Sequence, residues 1–228
     1  MNSDTSNPAS TDSPYLEPYR VAVADMGVGF EAQLWVSKEA QRTRFGVIRE
    51  ALGANPGVVA DLGCGQGDLL VHLHEHSSNP QKFIGVEGVD EMTKHAQERM
   101  NEMGIDRSIF HTFDFVADTS LPSQLVRDAS VDCFVFSGSL NTLSMIQAQQ
   151  VLERFFSALD HAGRGRLIFN FLSNRHNKER TPAQAPAVRF DPVEMFAWAI
   201  AQTPLVQLRH EYLAGHDATI IMDVHTPS

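Results

Sequence analysis

Val59-Ala60-Asp61-Leu62-Gly63-Cys64-Gly65-Gln66-Gly67-Asp68-Leu69 is the stretch that decides the fold. An apolar run of strand type meets three alternating glycines, and a helical pattern resumes at Asp68. A glycine turn between strand and helix is the first βα turn of an open α/β sheet, where ligands bind outside the carboxyl ends of the strands. Glycine there lets the chain turn tightly and lets a ligand approach the backbone. A dinucleotide fingerprint requires G-x-G-x-x-G. Counting from Gly63 puts the third glycine on Asp68, and from Gly65 on Leu70, so neither register fits. Asp61, just before the glycines, suits a ligand with an ammonium group better than a pyrophosphate.

Outward from this loop, 57–62, 82–86, 108–113, 131–136 and 166–171 read as strands. Between and after them 68–75, 90–103, 148–159 and 192–201 read as helices, with Asp90 as an N-cap. Upstream, 30–52 reads as one lead-in helix, and at the other end 206–212 and 218–224 form a hairpin around Gly215 and His216. The alternation predicts an α/β, Rossmann-like, doubly wound and mostly parallel seven-stranded sheet with an antiparallel C-terminal strand. Phe110, Phe113 and Phe115 are expected on one strand face, the first two in the core. Residues 1–14, rich in Ser, Thr, Asp, Asn and Pro, are expected to be a disordered leader. Residues 15–228 are expected to form a single domain, with a helical lid over about 15–55.

Lys and Arg number 18 against 28 Asp and Glu, a formal net charge of −10. That balance argues against a protein whose main task is gripping phosphate backbones, so no nucleic-acid partner is expected. The two cysteines, Cys64 and Cys133, have no metal-ligand or disulfide spacing. With no signal-peptide pattern and no apolar run near the ~20 residues of a membrane span, a cytoplasmic protein without membrane contact is expected. His72, His74 and His76 form an H-x-H-x-H run that reads as a helix face, and no metal site is expected. Cys64 reads as a small residue tolerated in a crowded turn. No G-x-S-x-G elbow, H-E-x-x-H or Cys–His signature is present.

Gly85-Val86-Glu87-Gly88 closes the second strand, where a carboxylate can accept hydrogen bonds from both ribose hydroxyls. Together with the glycine loop it resembles the first two motifs of the class I methyltransferases that use S-adenosylmethionine (SAM). The resemblance implies SAM as cofactor and S-adenosylhomocysteine (SAH) as product. It places Asp61, Gly63, Gly65, Gly67, Glu87 and Gly88 around the cofactor. Phe113-Asp114-Phe115 resembles the family position where an acidic side chain meets the adenine amino group, and with Gly88 in place of a bulkier residue the stacking on adenine falls to Val89 or Phe115. Phe136-Ser137-Gly138-Ser139-Leu140-Asn141 resembles the motif beside the reacting methyl, which puts Ser137 on the cofactor side. Leu34-Trp35-Val36-Ser37 with Gln41 and Arg44-Phe45 resembles the lead-in helix of a little-described bacterial and archaeal subgroup. In such helices an arginine meets the SAM carboxylate, which makes Arg44 the candidate.

Trp35, Ser139, Asn141 and Asn174 are then expected on the substrate side, and His176 is a candidate general base. The implied reaction is in-line transfer of a methyl group to oxygen or nitrogen of a small molecule, sugar or peptide. Such a reaction needs no protein nucleophile. The run N/D-P-P-aromatic of enzymes that methylate base amino groups is absent. Two alternatives stand beside this reading: an NAD-type oxidoreductase on a similar sheet, and a partner subunit that binds SAM without catalysis.

Overall fold

In a computed structural model, which describes residues 13–176 and 185–225, the glycine loop follows β1 (Val58–Leu62), buried at every residue. A strand buried throughout is a central strand covered on both faces. Its side chains alternate: Val58, Ala60 and Leu62 enter one apolar cluster and Val59 the other. The remaining elements are α1 (Glu17–Met26), α2 (Lys38–Leu52), α3 (Asp68–Glu75), β2 (Lys82–Glu87), α4 (Asp90–Glu102), β3 (Ser108–Thr112), α5 (Leu121–Ala129), β4 (Cys133–Phe136), α6 (Met145–His161), β5 (Arg166–Leu172), α7 (Pro192–Gln202), β6 (Val206–Arg209) and β7 (Asp217–Asp223).

The sheet order is β3-β2-β1-β4-β5-β7-β6. β1 to β5 are parallel, and β7 runs antiparallel to both β5 and β6. This is the doubly wound sheet the sequence predicts. Buried side chains of α2, α3 and α4 pack on one face, those of α5, α6 and α7 on the other. The second face is built on aromatic edges: Phe155 meets Phe134 and Phe136 at centroid distances of 4.9 and 5.1 Å, both T-shaped. The reversal of β7 matters for the site. It pairs Asp217, its first residue, with Leu172, the last of β5, so Asp217 stands at the same sheet edge as the carboxyl ends of the parallel strands.

Several expectations needed correction. The lead-in helix is not continuous: a short 3₁₀ turn (Glu31–Gln33) ends at Leu34 with φ of 57°, and α2 begins afresh at Lys38. Ser37 caps it by accepting the Ala40 N–H, which leaves Trp35 and Val36 between helices. Asp90 is the first helical residue and not the cap; its carboxylate pairs with Lys94 one turn on. α5 was missed. Its Ser120-Leu121-Pro122-Ser123 start reads as loop, although proline suits the first turn of a helix. Phe110 packs in the cluster of α3 and α4, whereas Phe113 and Phe115 pack in the opposite one, because a period of two cannot put residues 110 and 113 on one face. Residues 1–12 of the expected leader lie outside the described residues; Ser13, also assigned to that leader, is buried.

α6 opens with a full capping box: Ser144 Oγ accepts the Gln147 N–H, and Gln147 Oε1 accepts the Ser144 N–H. Ser144→Ala should destabilise the protein by about 1 kcal/mol, lowering the melting temperature by about 2–4 °C. Thermal unfolding checks this, and an unchanged midpoint would show that the cap adds nothing.

Candidate active site

Three positive-φ glycines shape the loop after β1: Gly63 at 77°, Gly65 at 54° and Gly67 at 75°. A Cβ on Gly63 would overlap Ser139, and one on Gly65 would sit 2.6 Å from Gln33 Oε1. The loop is therefore closed on by the segment after β4 and by the 3₁₀ turn. The Gly63 and Cys64 N–H groups donate to the Val86 carbonyl, which ties the loop to β2. Gly67 has a different role from the one expected. It does not line the cavity beside the loop; it starts α3, and its Cα faces Phe110.

That cavity measures about 800 Å³ and is lined by Arg44, Asp61, Gly63, Gly65, Glu87, Gly88, Phe115 and Ser137, eight of the expected cofactor residues. Trp35, Ser139 and Asn141 of the expected substrate set line it too. Asp61 Oδ1, Ser139 Oγ and Asn141 Oδ1 are buried and have no hydrogen-bond partner. Burial, then the neighbouring Glu87 and Asp68 carboxylates, push the Asp61 carboxyl up to about 8. Glu87 is also raised by burial, against the pull of three backbone donors. Its Oε2 accepts the Gly65 N–H at 2.9 Å, while Oε1 accepts those of Gly88 and Val89 at 2.8 and 3.1 Å. Two buried carboxyls thus stand at the ends of β1 and β2 with no ion pair to either among the described residues. A ligand bearing a positive charge and hydroxyl donors is what such a pair of acceptors fits.

Asp114 is placed differently from the expectation. Its Oδ2 accepts the hydroxyls of Ser13 and Tyr15 at 2.5 and 2.7 Å, and its Oδ1 accepts the N–H groups of Val116 and Ala117. With four donors on it, the carboxylate holds the N-terminal segment down and does not line the cavity. Tyr15 lines it instead, with its phenol raised to about 12 by burial and by Asp114. Arg44 lines the cavity but is 3% exposed, and its Nε donates to Asp217 Oδ1 at 2.5 Å. Its guanidinium carbon lies 4.6 Å from the Trp35 ring centroid. Trp35 in turn covers Gly138, where a Cβ would lie 2.8 Å from Trp35 Cη2. Asn174 is exposed, and its N–H serves the Phe190 carbonyl. His176 lies beside His216 with ring centroids 5.6 Å apart. Neither Asn174 nor His176 lines the cavity. Residues 177–184, between β5 and α7, lie outside the described residues.

Sequence reasoning missed four residues here. Asn170 on β5 accepts the Gly138 N–H at 2.8 Å and bonds Ser137, holding the segment after β4 in place. Tyr19, Arg189 and His216 line the cavity. His216 sat in the hairpin loop, read only as a turn, and Arg189 lay close to a polar stretch without any motif. Cys64 is buried and its thiol is raised well above its usual value by burial and by Asp61, which leaves it unreactive. His72 and His76 stack at 4.2 Å, and burial holds His72 down at about 4. No group of three metal-ligating side chains occurs among the described residues, and no helix there is long and apolar enough to cross a membrane.

The family described as methyltransferase domain matches residues 59–163, which run from β1 through α6. No curated protein matches the chain. Among solved structures the chain is similar to the DhpI–SAH complex, with a TM-score of 0.62 at 16% identity over 94% of this chain and 96% of that one. It is similar to magnesium protoporphyrin IX methyltransferase from Synechocystis PCC 6803 with bound SAH, at 0.56 and 14% over 92% and 94%. An O-methyltransferase family protein from Burkholderia thailandensis gives 0.64 and 13%, over 96% of this chain and 64% of that one. At such identities the likeness is one of fold, and the fold is the Rossmann-like one of methyltransferases.

Proposed function

We propose that this SAM-dependent methyltransferase delivers its methyl group to oxygen or nitrogen of a small-molecule acceptor. The observation that carries the reading is the continuous cavity of about 800 Å³ that holds both the glycine loop and the unpaired Ser139 and Asn141. Asp61 would meet the cofactor's ammonium group and Glu87 its ribose hydroxyls. The outer nitrogens of Arg44 would meet its carboxylate, since Nε is committed to Asp217. Asp114 would serve the adenine side through Tyr15 and not by touching it. The glycine register and the buried Asp61 weigh against a nicotinamide dinucleotide.

Bound there, SAM supplies an electrophilic methyl carbon and a sulfur leaving group that needs no further activation. The protein's task is then to hold the acceptor atom in line, which can lower the barrier by roughly 7–11 kcal/mol. Ser139 and Asn141 would orient an acceptor beside the loop, and Trp35 would shield it from water. The net charge of −10 supports a small molecule over a nucleic acid.

Calorimetry with SAM and with SAH tests the reading, and micromolar binding of both is the expected result. Incubation with isotope-labelled SAM and fractionated cell extract should then place the label in the small-molecule fraction. No heat with either ligand from folded protein would overturn the cofactor assignment. Label confined to protein or RNA would overturn the acceptor class.

A further inference from the structure

At the β7 side of the cavity a second set of charged groups meets. His216 Nδ1 lies 2.7 Å from Asp217 Oδ2, and Asp217 is 1% exposed. On the other side of the ring, Arg189 Nη2 lies 2.8 Å from His216 Nε2. A guanidinium has only donors, so Nε2 must be the accepting nitrogen. The ring proton then sits on Nδ1 and is donated to Asp217. These contacts make Nε2 the accepting nitrogen of His216, a residue that lines the cavity, and Nδ1 the one backed by a buried carboxylate. A ring whose tautomer is fixed by a carboxylate in this way is the arrangement of a general base.

Arg189 is more than a neighbour. Its Nη1 donates to the Ser173 carbonyl at 2.9 Å, which anchors the group at the end of β5. No carboxylate pairs with it among the described residues, and burial holds it below the usual guanidinium value, with Asp217 opposing and Arg44 adding to the effect. Around His216 stand Arg189, Arg44 and Asp217, with the ring of His176 alongside. Two guanidiniums against one carboxylate leave an excess of one positive charge.

We propose that His216, held by Asp217, is the general base for an acceptor whose nucleophilic hydroxyl lies near a carboxylate, and that Arg189 recognises that carboxylate. At rest Arg189 covers the Nε2 lone pair. An acceptor carboxylate draws the guanidinium onto itself and frees that lone pair, whereas an uncharged acceptor leaves it covered. The hydroxyl proton passes to Nε2. The oxygen's electron pair forms the new bond to the methyl carbon, and the carbon–sulfur bond breaks with its electrons left on sulfur. The products are a methyl ether and SAH, and His216 returns its proton to water. This inference rests on the methyltransferase reading and extends it to the acceptor.

The test uses the full chain with 3,4-dihydroxybenzoate and catechol, which differ by one carboxylate. With SAH bound, the acid should bind at least about tenfold tighter than catechol, and Arg189→Gln should abolish that preference. With SAM, methylation of the acid should fall by about 10²- to 10⁴-fold in His216→Gln and in His216→Ala. SAM affinity should be unchanged in both, and added imidazole should restore rate to His216→Ala, a response that a purely structural role would not give. Equal binding of the two probes, binding of neither, or full activity in folded His216→Gln overturns the inference. Failure of the wild-type protein to bind SAM would instead overturn the methyltransferase reading itself.

Discussion

Asp61→Asn should weaken SAM binding about tenfold to a hundredfold while making the ligand-free protein more stable at neutral and alkaline pH. Both effects come from one buried carboxyl. Its value of about 8 in the folded state stands far above the roughly 3.9 of an unfolded chain. Between those limits the folded protein holds a proton that the unfolded chain has released. Stability is therefore full below the unfolded value and is lost progressively as pH rises through about 8, on the order of 5 kcal/mol in all. Asparagine does not titrate and escapes this loss. The ligand's ammonium would reverse the balance by favouring the carboxylate, so binding at pH 7 should release close to one proton. Calorimetry in two buffers of different ionisation enthalpy measures that release directly. Unchanged affinity in Asp61→Asn, or binding without proton release, would remove Asp61 from the ammonium site.

Arg44→Met should cost about 3–5 kcal/mol of stability, because it leaves the buried Asp217 carboxylate with His216 as its remaining side-chain partner. Burial alone would push Asp217 up, but His216 and Arg44 outweigh it and hold the carboxyl below its usual value. A depressed carboxyl contributes stability above the unfolded value and loses it as pH falls through the folded one. The gap between wild type and Arg44→Met should hence be full at pH 7 and narrow below about pH 4. Adding Asp217→Asn to Arg44→Met should recover part of the loss, since the unpaired charge is then gone. Urea unfolding across pH decides it: a pH-independent deficit would assign the cost to lost packing against Trp35 instead.

The part of this molecule legible in the sequence was the part written in short-range pattern. β1 and its glycines, β2 with Glu87, and the alternation of strands and helices all follow from local periodicity and turn chemistry. The break at Leu34 was not legible, because Leu34 and Val36 are apolar yet exposed, and the pattern alone extends the helix through them. Asp114 carried the right residue type at the right place. Its engagement by Ser13 and Tyr15, about a hundred positions away in the chain, is a tertiary event without local trace. The same holds for His216 and Arg189, which come from the segments before β7 and before α7 and meet beside the end of β5. Charged groups that act through distant partners leave no periodic mark, whereas a tight turn must be made of residues that can turn.

The reversal of β7 also splits the molecule's duties along the chain. On the proposed reading the donor side would be built by Asp61, Glu87 and Ser137, at the carboxyl ends of parallel strands. The acceptor side would combine Ser139 and Asn141, after β4, with Arg189 and His216, the last carried to the same rim by the strand that enters the sheet where its neighbours leave it. New acceptor preferences can therefore evolve by rewriting the approach to that strand and the segment before α7. On that reading the Arg44 contact to the methyl donor would be kept so long as Asp217 keeps its bond to Arg44.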